Sequence, residues 1–122
     1  MNRQEIEKSQ EIIESVLLSP VNPDDGHDVK AKLAKLSELL VVGSNCVTAA
    51  TNIYRTIHRG WLRQHQEEIM KMSPSVAKHY IESGVIDEQI LLVRCENNYK
   101  SLCKCSDDLI TILSYLKAEM SL

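Results

Sequence analysis

Arg55, Arg59 and Arg63 step by four through the stretch NIYRTIHRGWLRQHQ, which also holds Tyr54, His58, Trp61 and His65. Between Glu38 and Glu67 the chain carries no acidic residue. On a helix, residues four apart lie on neighbouring turns of one face, so the three guanidinium groups form a slowly drifting cationic strip suited to successive phosphates. Tyr54 or Trp61 beside that strip offers an aromatic face on which a base can stack. The competing expectation is structural: the arginines pair with glutamates of an N-terminal or C-terminal helix, and both rings belong to the core. The sequence favours this second expectation, because the net charge of −3 is unlike the strongly basic balance of proteins that coat nucleic acid. An acidic protein partner for the strip is the third alternative.

Other reactive side chains lead to weaker expectations. His65 with Glu68 and His79 with Glu82 are two H-x-x-E pairs, each placing an imidazole and a carboxylate on one helix face. Di-metal carboxylate bundles use the reverse order, E-x-x-H, plus a further Glu from each of two other helices. No metal site and no cofactor is expected here. Cys46, Cys95, Cys103 and Cys105 are expected to be reduced and structural, and Cys103 and Cys105, two apart, point to different faces of a helix. There is no G-x-S-x-G, no glycine-rich phosphate loop and no H-E-x-x-H, so no catalytic residue is assigned and no enzyme is expected.

The elements that must position these residues are helical. A chain of 122 residues with three prolines and four glycines has few places to turn, which favours a few long elements over many short ones. Residues 3–18 space Ile6, Ile12, Ile13, Val16 and Leu17 for an amphipathic helix. SPVNPDDG, 19–26, is turn chemistry. From Asp28, read as an N-cap, Val29, Leu33, Leu36, Leu40, Val47, Ala50, Tyr54, Ile57 and Trp61 continue one stripe to about residue 71, with Gly43-Ser44-Asn45 as a place where the helix can break. Ser73-Pro74 opens a short helix over 74–83. Gly84 is expected to close it in the left-handed conformation.

The last element, 86–119, carries the clearest pattern. Leu92, Cys95, Tyr99, Leu102, Leu109, Leu113, Leu116 and Met120 follow a heptad-like spacing with only Ser106 polar among them. The fold class expected is all-α: a single domain over 1–122, built as a helical bundle or a long antiparallel helical hairpin with a short linking helix and an N-terminal helix. Ile90, Leu91, Val93, Ile110 and Ile112, with Leu39, Val41, Val42, Cys46 and Ile53 on the other long helix, lie off the stripes. That width exceeds what one helix pair buries, so the first helix, a second copy of the chain, or both are expected to cover it.

The basic, aromatic second half of the long helix (Tyr54, Arg55, Arg59, Trp61, Arg63), the link HYIESG and the C-terminal heptad helix ending LITILSYLKAEM together resemble, in arrangement, small helical accessory proteins of bacteriophages of the recombination-mediator type. The resemblance covers about residues 28–119 and implies ring-forming, single-strand-handling accessory proteins. The N-terminus has no signal-like apolar core, and no apolar run is expected to reach the roughly 18 residues of a membrane span. A cytoplasmic protein with no membrane partner follows as the expectation. The function expected is a non-catalytic, homo-oligomeric helical interaction module, an adaptor or accessory factor in a phage or mobile-element setting. The alternative is a nucleic-acid-binding accessory protein using the arginine strip, and a small enzyme comes last.

Overall fold

The computed structural model describes residues 1–120, which form five helices: α1 (Arg3–Leu18), α2 (Gly26–Gln64), α3 (Gln66–Met70), α4 (Pro74–Gly84) and α5 (Ile86–Met120). Among the described residues there is no strand. The all-α class is as the periodicity predicts, and the two final residues of the expected 1–122 domain lie outside the described range.

α2 and α5 form an antiparallel pair. Gly26 of α2 faces Leu116 of α5, Gly43 meets Tyr99 and Leu102, and Trp61 lies against Gly84, just before α5 begins. α1 returns along both helices. Its start reaches α5 near Glu88 through Arg3, and its second half reaches Arg94 through Glu14, so α1 runs parallel to α5.

Side-chain spacing explains the core. Ile6, Gln10 and Ile13 occupy one face of α1 and are fully buried. Ile6 packs with Cys46, Ala50, Leu91 and Cys95. Ile13 packs with Val29, Leu36, Leu102 and Leu109 in a second layer. Each such Leu or Ile contributes about 1.5–3 kcal/mol by leaving water. Within the predicted seam, Leu102 and Leu109 are buried and Leu92, Tyr99, Leu113 and Leu116 are half-buried, whereas Met120 is 88% exposed. Ser106, the polar member, is buried with its hydroxyl unpartnered.

α1 accounts for most of the apolar width beyond the α2–α5 stripes. Leu91, Cys46, Val42 and Ile53 belong to the layer around Ile6, and Leu39 and Ile112 to the layer around Ile13. Val41, Ile90, Val93 and Ile110 remain exposed.

α1 is fixed to α5 by a polar network as well. Arg94 donates to Glu14 through Nε at 2.9 Å and Nη2 at 2.6 Å. Asn98 Nδ2 donates to Gln10 Oε1 at 2.9 Å and to Glu14 Oε2 at 2.8 Å. These hydrogen bonds, from Arg94 first and then Asn98, hold the Glu14 carboxyl down at about 2. The Gln10 amide nitrogen is buried without a partner.

Several boundaries differ from expectation, each for a local reason. The N-cap of α2 is Asp25, whose carboxylate accepts from the His27 amide at 3.0 Å; the Asp28 carboxylate instead accepts from the Asn22 amide at 2.6 Å and folds the loop back. α2 does not break at Gly43. A Cβ there would lie 3.1 Å from Leu102 Cδ1 and 3.3 Å from Tyr99 Cδ2, so the glycine permits close approach of α5 rather than ending a helix. The interruption falls at His65 (φ −114°, ψ 16°). The amide of His65 still donates to Trp61 and its carbonyl still accepts from Ile69, so the helical path continues to Met70. Gly84 is not left-handed, since no glycine among the described residues has positive φ. It is small because the Trp61 indole occupies the place of a side chain.

By length and composition α2 is apolar enough to cross a membrane, contrary to the expectation that no stretch would be. Only 22% of that apolar window is buried within the bundle, and the buried residues of α2 are Val29, Leu36, Gly43, Cys46 and Ala50.

Candidate functional site

The residues singled out in the sequence lie on the C-terminal part of α2, where α4 packs alongside it.

Arg55, Arg59 and Arg63 are all exposed. The ion pairs among the described residues join Arg3 with Glu7 and Glu88, His79 with Glu82, and Arg94 with Glu14. The expectation that the three arginines are neutralised by glutamates of α1 or α5 is therefore not met. Of those glutamates, Glu7 and Glu88 face Arg3 and Glu14 faces Arg94.

The two aromatic residues are not equivalent. Trp61 stacks on His65 with ring centroids 4.1 Å apart and planes 22° apart, and meets Tyr80 edge-on at 4.8 Å. His65 Nδ1 lies 2.9 Å from the Trp61 carbonyl oxygen, which fixes its ring. Tyr80 OH donates to Glu68 Oε2 at 2.5 Å, and that bond, aided by desolvation, raises the tyrosine pKa. Trp61, half-buried and outside the two core layers, is thus the centre of a separate cluster that ties α2, α3 and α4 together. The two H-x-x-E pairs also separate in use: Glu68 serves Tyr80, and Glu82 faces His79 at 4.0 Å on the surface.

Tyr54 and His58 stack on each other, centroids 5.7 Å apart and planes 23° apart. They line an open cleft of about 400 Å³ whose other walls are Pro74, Ala77, Lys78, Ile81 and Glu82 of α4. Arg55 and Arg59 each follow one of these rings by one residue, so the aromatic row and the cationic row run side by side, about 100° apart around the helix. Sequence periodicity identified the α2 half of this cleft. The α4 half was missed, because nothing in local spacing reveals which helix will lie across Tyr54. Tyr80 was missed for the same reason.

The cysteines divide by burial. Cys46 and Cys95 are buried and Cys103 and Cys105 half-buried, and all are free thiols. Burial pushes the Cys95 thiol up to about 11, which leaves it unreactive at neutral pH. Among the described residues no group of three or more His, Cys, Asp or Glu is placed to hold a metal ion. No protein-family model, curated protein or solved structure matches the chain.

Proposed function

We propose that the protein is a non-catalytic helical interaction module that self-associates, serving as an adaptor or accessory factor in a phage or mobile-element setting within the cytoplasm. The observation that carries self-association is a stripe on α5. Ile86, Ile90 and Val93, at the i, i+4, i+7 spacing of one helix face, are 47%, 60% and 46% exposed. α1 packs on α5 through Ile6 against Leu91 and Cys95, and leaves this stripe to a second copy. A symmetric pairing through α5 would bring each stripe against its counterpart and remove both from water. The experiment is sedimentation velocity of the wild type and of an Ile90→Glu, Val93→Glu double variant. The wild type sediments as an oligomer and the variant as a folded monomer; a wild type that is monomeric at every concentration removes the proposal.

One observation favours a second reading, nucleic-acid binding: the arginine strip is exposed and free of ion pairs among the described residues. A strip of this kind has no internal anion to displace before phosphates bind. Titration of single- and double-stranded oligonucleotides at two salt concentrations tests it. The reading requires binding that weakens steeply with salt and that is lost on Arg55→Ala, Arg59→Ala, Arg63→Ala substitution. Absence of binding at low salt would refute it.

A further inference from the structure

We infer that the cleft between α2 and α4 is a subsite for one unstacked nucleobase of a single-stranded nucleic acid whose backbone lies along the arginine strip. The inference rests on the nucleic-acid reading above and adds to it a place where the base is received.

The chemistry of the cleft suits a base better than a peptide side chain or a bare phosphate. Its volume of about 400 Å³ falls within the roughly 300–1,000 Å³ of small-ligand pockets. Tyr54 and His58 line one wall as a mutually stacked pair, an aromatic surface on which any base can pack. Pro74, Ala77 and Ile81 make the facing wall apolar, which favours a flat heterocycle over a charged group. Two charged residues stand in the lining, Lys78 and Glu82, the latter with its carboxylate 4.0 Å from His79 Nδ1 at the surface. The carboxylate can accept from an exocyclic amino group and the ammonium can donate to a carbonyl or ring nitrogen, the pairing that a base edge offers.

Position joins the cleft to the strip. Arg55 and Arg59 are the chain neighbours of the two stacking rings, so a backbone following the arginines passes within reach of the cleft mouth. Guanidinium groups recur about every 6 Å along the helix axis, and Arg63 extends the track beyond the cleft towards α3.

The test separates the subsite from the strip. A labelled single-stranded oligonucleotide, an abasic sugar-phosphate oligomer of equal length and a polyglutamate chain are titrated against the wild type and three variants: His58→Ala, Ala77→Leu, and the triple arginine-to-alanine variant. Ala77→Leu fills the cleft while keeping every charge and a good helix former, and the fluorescence of the lone Trp61 and far-ultraviolet circular dichroism verify that each variant is folded. The base-containing strand is expected to bind about 5- to 100-fold more tightly than the abasic one. His58→Ala and Ala77→Leu should erase that difference without changing abasic binding. The triple arginine variant should weaken both strands and lower the salt slope by about 2. Equal binding of the two strands, or an Ala77→Leu variant that retains full preference for bases, overturns the subsite and leaves the strip standing. Failure of both strands to bind at low salt overturns the nucleic-acid reading and the subsite with it. Polyglutamate binding as tight as the oligonucleotide and indifferent to Ala77→Leu also overturns it, in favour of an acidic protein partner.

Discussion

Gly84→Ala and Gly60→Ala make opposite predictions from the same chemical change. Both glycines lie in helices with ordinary helical backbone, and neither has positive φ. Replacement by alanine at such positions ordinarily stabilises a helix by about 0.5–1 kcal/mol, because the unfolded chain loses freedom. At Gly60 a new Cβ meets nothing within 4 Å, so the full gain is expected. At Gly84 the new Cβ would fall closer than 3.0 Å to Cε2, Nε1 and Cζ2 of Trp61. The indole cannot simply turn aside, since His65 stacks on it and Tyr80 abuts it. Overpacking of this kind costs about 1–3 kcal/mol, and the helix-end position returns less than the full propensity gain. The net expectation is a loss of about 1–2 kcal/mol for Gly84→Ala, against a gain below about 1 kcal/mol for Gly60→Ala. For a domain of this size each kcal/mol moves the melting midpoint by about 4 °C. Thermal melts followed by circular dichroism and by Trp61 fluorescence read both quantities, and only Gly84→Ala should alter the native emission. Equal melting midpoints for the two variants would refute the packing of α4 on Trp61, and with it the cleft that α4 completes.

Ser106→Ala should stabilise the fold by about 1 kcal/mol in urea unfolding, because it removes a buried hydroxyl without a partner and puts a better helix former on the seam. Ile13→Ala, which empties the centre of the layer formed with Leu36 and Leu102, should cost about 2–5 kcal/mol in the same assay. The Glu14 carboxyl is lower in the folded protein, at about 2, than in the unfolded chain, so its contribution is fully present above the unfolded value near 4.3 and is lost as pH falls towards 2. Glu14→Gln should flatten the acid limb of the stability profile. Both side chains of the pair are 36% exposed, and solvent screening keeps the effect near 1 kcal/mol. Thiol labelling of the native protein should modify Cys103 and Cys105 and spare Cys46 and Cys95 until unfolding.

The helices themselves were legible because each carries its own periodicity: Ile6 with Ile13, Leu33 through Trp61, Leu92 through Leu116. Ser73-Pro74 marks the start of α4 by a local rule, the fixed φ and missing N–H of proline. What failed was the meaning of glycine. Gly43 and Gly84 look alike as helix punctuation, yet both are helical and small for the sake of a ring or a leucine from a residue distant in sequence. Charge was misread for a related reason. The glutamates of the terminal helices suggest partners for Arg55, Arg59 and Arg63, but those that form ion pairs, Glu7, Glu14 and Glu88, do so with Arg3 and Arg94. Trp61 and Tyr54 share one stripe and one residue class, and only the placement of α3 and α4 distinguishes a ring locked in a cluster from a ring lining a cleft.

Completion of the helical module by a second copy is read by multi-angle light scattering of the wild-type protein across a hundredfold range of concentration. The expected mass rises to a whole-number multiple of 13.8 kDa and returns to 13.8 kDa when Ile90 and Val93 are replaced by glutamate. A constant mass of 13.8 kDa for the wild type throughout that range would contradict it.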